Sequence, residues 1–436
     1  MSLTEHIKTH KNAYSLGFLA VVAAVVGFLF IQVDDLSNSQ LTGSLTNSRM
    51  PIKKVAVGSP SFKRPELVTA GTLSISSEGN PDSKILIAGA PMQLVSKYRL
   101  SAIREGFTVK KLTVMNDLSG AFDAPANTLA ASSVTLKYTD ANGASQTLSA
   151  SLSMGRATFS GLNLNVAAGQ NAYAEIFADI NYMGGVGEIL SGQTLRLGIQ
   201  EAGNDASTFE AVGDSSFTSI NTPTISNGAS VNSFVVRKSM PTFSKAVGLS
   251  TSLIAGENRL YGLTVTADIA GPVSFGRLSF KISNNSTDNP LVQFKFYRES
   301  TLMSGVSILN ANNGTDLTTV GTVAAGEISG ALVIFDQEET VEAGQSKTYY
   351  LDAILSSAMM NDSVTTRLAS DPIENAQTGN FANFQSSAIV WSDNSADMHV
   401  YPTVAAGVAT PGTGSNDWTN GALLGTASIP SQTLMR

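Results

Sequence analysis

Val134-Thr135-Leu136-Lys137-Tyr138-Thr139 alternates apolar and polar residues one by one and runs into Asp140-Ala141-Asn142-Gly143. A period of two puts Val134, Leu136 and Tyr138 on one face of a strand and Thr135, Lys137 and Thr139 on the other. Asn142-Gly143 supplies the positive φ angles of a tight hairpin, from which the chain returns through Leu148. The same alternation recurs where Leu278, Phe280 and Ile282 interleave with Arg277, Ser279 and Lys281, and where Leu162, Leu164 and Val166 interleave with Asn163 and Asn165. No segment beyond residue 35 keeps a helical apolar stripe over three turns. Strands with one oily face must bury it against a second sheet, so an all-β protein of two-layer sandwiches is expected.

Self-comparison adds a duplication. Leu86-Ile87-Ala88-Gly89 returns as Leu253-Ile254-Ala255-Gly256, an offset of 167 residues. Val109-Lys110-Lys111-Leu112-Thr113-Val114 matches Phe275-Gly276-Arg277-Leu278-Ser279-Phe280 at 166, and Val166-Ala167-Ala168-Gly169-Gln170 matches Val341-Glu342-Ala343-Gly344-Gln345 at 175. Leu195-Arg196-Leu197 pairs with Thr366-Arg367-Leu368 at 171. Four matches in one order with slowly drifting offsets predict two related domains in tandem.

Ahead of them lies a different kind of sequence. Leu16 to Val33 is free of charge and closes at Asp34-Asp35. As a helix its ~18 residues rise roughly 27 Å, close to the hydrocarbon thickness of a bilayer. Its length favours an uncleaved anchor; Ser37-Asn38-Ser39 before Gln40 offers the cleavage site of a signal peptide instead. Processing after Gly17, as in a prepilin, is a third reading, but Ser15, Leu16 and Val22 match that pattern poorly. Lys8 and Lys11 precede the segment and the next basic residue is Arg49, so the N-terminus is expected inside and the bulk outside. The expected layout is 1–35 cytoplasmic tip and apolar helix, 36–64 polar stalk, 65–232 first β-sandwich domain, and 233–436 second β-sandwich domain with a tail that returns as a strand.

Composition narrows the function. The 436 residues hold no cysteine, so neither disulfides nor thiolate chemistry are in play. Only 14% are charged, 42% are apolar, and the net charge of −7 comes without a basic stripe, which argues against nucleic acid. His399 is the single histidine beyond the apolar segment, set in Asp397-Met398-His399-Val400-Tyr401, which reads as a strand. Glu338-Glu339 and Glu342 read as solvated loop and strand-edge charges. Trp391 and Trp418 read as core residues, with a sugar-stacking platform as the alternative. No set of residues points to catalysis, and no enzyme is expected. Oxygen-rich loops offer calcium ligands at Asp288, Asp316, Asp393 and Asp397, against the plainer reading that Asp and Asn simply build turns. No other cofactor is expected.

Val236-Arg237-Lys238-Ser239-Met240-Pro241-Thr242, followed by Leu260-Tyr261-Gly262-Leu263-Thr264-Val265, resembles a family pattern, as do Val390-Trp391-Ser392-Asp393-Asn394-Ser395-Ala396 and Asp417-Trp418-Thr419-Asn420-Gly421. Residues 233–436 thereby resemble tandem Ig-like, S-layer-like surface proteins of uncultured candidate-phylum bacteria. The resemblance implies Ig-like sandwiches, cell-surface placement and a structural or adhesive role. The expectation is therefore an exported S-layer or filament subunit that self-associates through its β-domains and contacts the bilayer through its N-terminal helix where that is uncleaved. An adhesin for a host or neighbouring-cell ligand and a pilin-like subunit are the alternatives.

Overall fold

The computed structural model describes residues 70–119, 121–122, 125–183, 189–201, 208–226, 231–372, 386–396, 399, 401, 404–405, 408–409 and 417–436. The apolar segment, the stalk and the start of the first expected domain lie outside the described residues. Among those described, no helix is long and apolar enough to cross a membrane. Their regular structure is strand, apart from one 3-10 turn at Thr426–Ser428.

Leu67–Arg436 is one compact unit, and two apolar cores lie within it. In the first half a six-stranded sheet runs in the order Thr224–Ser226, Thr72–Ser77, Gln93–Ile103, Asn171–Ile180, Ala131–Thr139, Ser145–Ser151. Facing it, Phe107–Asn116 pairs with Arg156–Val166 along one side and with Leu197–Ile199 and Phe209–Gly213 along the other. Val134, Leu136 and Tyr138 enter the core between the sheets, as their alternation requires. Tyr98 reaches across this core to accept a hydrogen bond from Ile199 N–H at 3.0 Å. Each Val or Leu buried here contributes about 1.5–3 kcal/mol.

The second half repeats this plan. One sheet carries Pro241–Lys245, Gly256–Ala267, Ser346–Leu355, Leu291–Arg298 and Thr301–Leu302, with Thr322–Val323 also on Leu291–Arg298. The other carries Val306–Asn310, Ile328–Val341, Val273–Asn284, Ser363–Leu368 and Gln432–Met435; Ile389–Ser392 and Trp418–Asn420 extend it. Rings from the two sheets meet in the middle: Tyr261 lies 5.8 Å from Phe280, and Phe280 6.1 Å from Phe296. The tail returns as a strand, with Val364 opposite Leu434.

Strand register displays the duplication more clearly than the sequence does. Phe107 stands opposite Val166 before the pairing slips between Val109 and Lys111; Val273 stands opposite Val341 before it slips between Phe275 and Arg277. On the facing sheets, a slip between Leu94 and Ser96 answers one between Arg259 and Tyr261. The turns match as well, with Gly169 and Gly344 at φ +70° and +68°. A bulge is a specific local feature, so bulges at corresponding places mark a shared plan. One expected equivalence shifts: Ile199 opposes Val114 and Leu368 opposes Phe280. That gives an offset of 169 instead of the 171 read from Leu195-Arg196-Leu197. A slip of two residues keeps every side chain on its own face, which is why the pattern alone did not reveal it.

The hairpin after Thr139 also differs from expectation. Asp140 N–H bonds to Ala144 O at 2.9 Å, and of the two turn residues only Gly143 has a positive φ, +79°. Asp140 Oδ1 accepts from Asn142 N–H and Ala144 N–H, each at 2.9 Å. The loop is thus one residue longer than a two-residue turn, and its left-handed position falls on glycine alone.

Phe234–Arg237 joins the halves. It pairs in parallel with Ile85–Ile87 and antiparallel with Gln193–Leu195. Phe234, Val236 and Leu86 belong to the first core, while Ile85 belongs to the second. This strand follows the expected domain boundary at 232 and still contributes to the first core. Its counterpart is Gln432–Met435: Leu195 faces Phe234 as Val364 faces Leu434.

Candidate functional site

A densely built polar site lies where the halves meet. Arg237 and Asp393 are fully buried there. Ser191 Oγ and Lys238 N–H both donate to Asp393 Oδ2 at 2.8 Å, and Ser395 Oγ donates to Oδ1 at 2.7 Å. Arg237 Nη1 donates to Ser191 Oγ at 3.0 Å, and its guanidinium lies 5.7 Å from the centre of the Trp391 ring. Burial pushes the Asp393 carboxyl up, while the Arg237 charge and these donors pull the other way. Ser191 comes from the first half and Asp393 from the second, so the cluster ties the two together.

His399 sits beside it, outside any strand; the expected strand around it is not formed at that residue. Its Nδ1 is 2.7 Å from Asp417 Oδ2, its Nε2 is 2.6 Å from Glu338 Oε2, and its ring stacks on Trp418 at 5.4 Å. The hydrogen bonds to Asp417 and then Glu338 push its pKa up to about 10. At neutral pH the ring is an imidazolium with both N–H groups engaged, and no nitrogen is left to accept a proton. Glu338 and Glu339 are not loop charges: both lie within Ile328–Val341. Glu339 is buried and accepts hydrogen bonds from Arg298 Nη1, Lys347 Nζ and Tyr349 Oη. Trp391 and Trp418 are buried, and Trp391 Nε1 donates to Asn420 O at 2.7 Å, as a core role requires.

Of the four residues singled out for calcium, Asp288, Asp316 and Asp393 are not gathered into one metal-holding group among the described residues. Asp288 is exposed, and Asp397 lies outside the described residues. Asp316 Oδ1 accepts from Thr318 N–H at 2.8 Å and Thr318 Oγ1 at 2.6 Å, and Oδ2 accepts from Thr319 Oγ1 at 3.1 Å. These bonds, the Thr318 hydroxyl first, hold its carboxyl below the usual range. Asp393 spends its oxygens on the junction. Among the described residues no group of three or more carboxylate or imidazole side chains is placed to hold a metal ion. Of these carboxylates, Asp316 is engaged in turn-building and Asp393 in joining the halves.

Two surface features went unnoticed in the sequence. One is an open groove of about 580 Å³ lined by Glu257, Arg259, Tyr297, Glu299, Tyr350 and Asp352. Arg259 forks onto Asp352 through Nε at 3.0 Å and Nη2 at 3.1 Å, and lies 4.0 Å from the centre of the Tyr350 ring. Apart from Glu299 in the turn after Leu291–Arg298, these residues sit on three adjacent strands that are far apart in sequence, so no local signal announces them. The other is the edge strand Ser145–Ser151, paired on one side with Ala131–Thr139 over seven residues without a bulge. Among the described residues nothing pairs with its second side.

No protein-family model matches the chain, and no curated protein matches it. Solved structures similar to it include "BspA_C_mut", at 10% identity and a TM-score of 0.21 over 70% of this chain and 96% of that one. The full-length major pilin SpaD from Corynebacterium diphtheriae aligns at 11% identity and a TM-score of 0.18, over 69% of this chain and 61% of that one. A biofilm associated protein BSP domain follows at 7% identity and 0.15, over 68% and 56%. Likenesses this remote carry no weight for fold or function.

Proposed function

We propose that the chain is an exported cell-surface structural protein, an S-layer or filament subunit. Its apolar segment 16–33 either tethers it to the membrane or is removed on export, and its duplicated β-body self-associates. The uncovered strand Ser145–Ser151 carries this reading, because a free sheet edge is a ready template for another chain. The Ig-like character rests on the resemblance of residues 233–436, and a surface location on the apolar segment. Electron microscopy of the full chain in detergent micelles, with calcium and then with chelator, tests it. Ordered sheets or filaments are the expected result, and particles that stay single at every concentration refute it. Dissolution on chelation would put calcium at the contacts.

The groove around Arg259, Tyr297 and Tyr350 favours a second reading, an adhesin. Tyrosine and arginine are enriched at recognition surfaces, and the half-buried Tyr297 and Tyr350 line this groove together with Arg259. Binding of the chain to a glycan or protein array, abolished by Tyr350→Ala with the fold intact, would support it; binding unaffected by that change would exclude the groove.

A further inference from the structure

Register fixes what the Ser145–Ser151 edge can bind. Leu152 N–H donates to Ser132 O, and Asp140 N–H donates to Ala144 O, so the even-numbered residues of this hairpin arm bond to Ala131–Thr139. In an antiparallel ladder the direction of the backbone groups alternates, and Ser145, Thr147, Ser149 and Ser151 therefore point theirs outward. Four residues with one N–H and one C=O each leave eight outward groups, none with a partner among the described residues. The strand Ser-Gln-Thr-Leu-Ser-Ala-Ser has no proline and no charge. Those are the devices that normally blunt an edge. By contrast the end strand Pro241–Lys245 of the second half, which occupies the place of Thr72–Ser77, has both, a proline at one end and a lysine at the other.

We propose that this edge pairs with the same edge of a second copy of the chain, antiparallel about a two-fold axis at Leu148. The proposal rests on the self-association reading above and names its contact. With the axis at its fourth residue, Ser145 faces Ser151 of the second copy, Gln146 faces Ala150 and Thr147 faces Ser149. Every outward N–H and C=O then meets its opposite, and all eight groups are satisfied. No charged residue lies in the seven, so the two-fold brings no like charges face to face. Leu148 and Ala150 are half-buried against the first core. At the axis Leu148 meets Leu148 of the second copy in a non-hydrogen-bonded pair, the closer of the two pair types, which extends that apolar face across the contact. An offset register would leave outward groups unpaired, and a self-complementary patch closes as a dimer, so sheets or filaments grow from such dimers through a second contact elsewhere on the body.

The chain has no cysteine, so Leu148→Cys in the full chain, held in detergent micelles, reports the axis directly. Under mild oxidation it is expected to give a disulfide-linked dimer on a non-reducing gel, while Thr147→Cys, which faces Ser149 of the second copy, stays largely monomeric. Thr147→Pro removes an N–H that the fold does not use and is expected to raise the dimer dissociation constant at least tenfold by light scattering, with an unchanged unfolding midpoint. Equal cross-linking at both positions, or oligomers that persist in Thr147→Pro without cross-linking at 148, would overturn the edge contact and leave self-association standing. An unaltered chain that remains monomeric at every concentration would overturn both.

Discussion

The two halves follow one strand plan with bulges at corresponding places, yet they end one sheet differently. In the second half the chain leaves Leu291–Arg298 after the short Thr301–Leu302 pairing and crosses to the opposite sheet as Val306–Asn310. Thr322–Val323 then covers the other end of Leu291–Arg298. In the first half the equivalent arm stays on its own sheet as Ser145–Ser151. Composition accounts for the difference. Val306-Ser307-Ile308-Leu309-Asn310 carries Ile308 into the core, with Val306 packed against it. Ser145–Ser151 has only Leu148 and Ala150 to offer, both half-buried, and gains little by crossing. The same plan thus gives a sealed corner where the strand is oily and an open edge where it is polar.

A second contrast lies in the cores. By register Trp391, opposite Phe275, corresponds to Ala211, opposite Val109. The second half fills with indole what the first half fills with a methyl group. Trp391→Ala is expected to cost about 3–5 kcal/mol in chemical denaturation, the largest effect here. The converse change, Ala211→Trp, should overpack the first half and cost about 1–3 kcal/mol. A neutral Ala211→Trp would show that the two positions are not equivalent in packing.

Asp393→Ala comes next. It strips the partners from Ser191 Oγ and Lys238 N–H across the junction, at about 1–3 kcal/mol for each buried donor left unpaired. If the cluster couples the halves, calorimetry should resolve two transitions in the variant where the unaltered chain shows one. A single transition in both would sink that coupling.

The halves should also respond to pH in opposite directions. In the first, Glu105 is buried and its Oε1 and Oε2 accept hydrogen bonds from Gly71 N–H, Ser216 N–H, Ser215 N–H and Ser216 Oγ. The Gly71 bond leads in lowering its pKa from 4.5 to about 2. The stability it contributes is present above pH 4.5 and lost as pH falls through 2. In the second, His399 is raised from 6.5 to about 10, so its contribution is full below pH 6.5 and lost as pH rises through 10. Glu105→Gln should flatten the acid limb of the stability profile and His399→Gln the alkaline limb. Exchanged limbs would show that other groups dominate. Thr147→Pro should have the smallest effect on stability, within about 0.5 kcal/mol, and a larger loss would mean that the edge is covered within the molecule.

Much of the fold was legible because a β-sheet writes its two faces into the sequence with a period of two. Val134, Leu136 and Tyr138 follow directly from that period. The junction site was not legible. Ser191, Arg237, Asp393 and Asp417 are separated by up to 226 residues, and burial turned Asp393 from a turn-former into a fixed acceptor. Glu339 was misread for the same reason: Arg298 and Lys347 compensate its charge, Tyr349 donates a hydrogen bond to it, and all three reach it from the facing sheet.

Sequence by itself determined the all-β class, the duplication and which face of each strand is oily, because alternation and repetition are local properties that survive without coordinates. Only the tertiary structure decided the register, the shared strand Phe234–Arg237, the buried charges between the halves and which edge is left open. Each of these depends on which strand lies beside which, and backbone hydrogen bonds form with any sequence, so no residue type announces its partner.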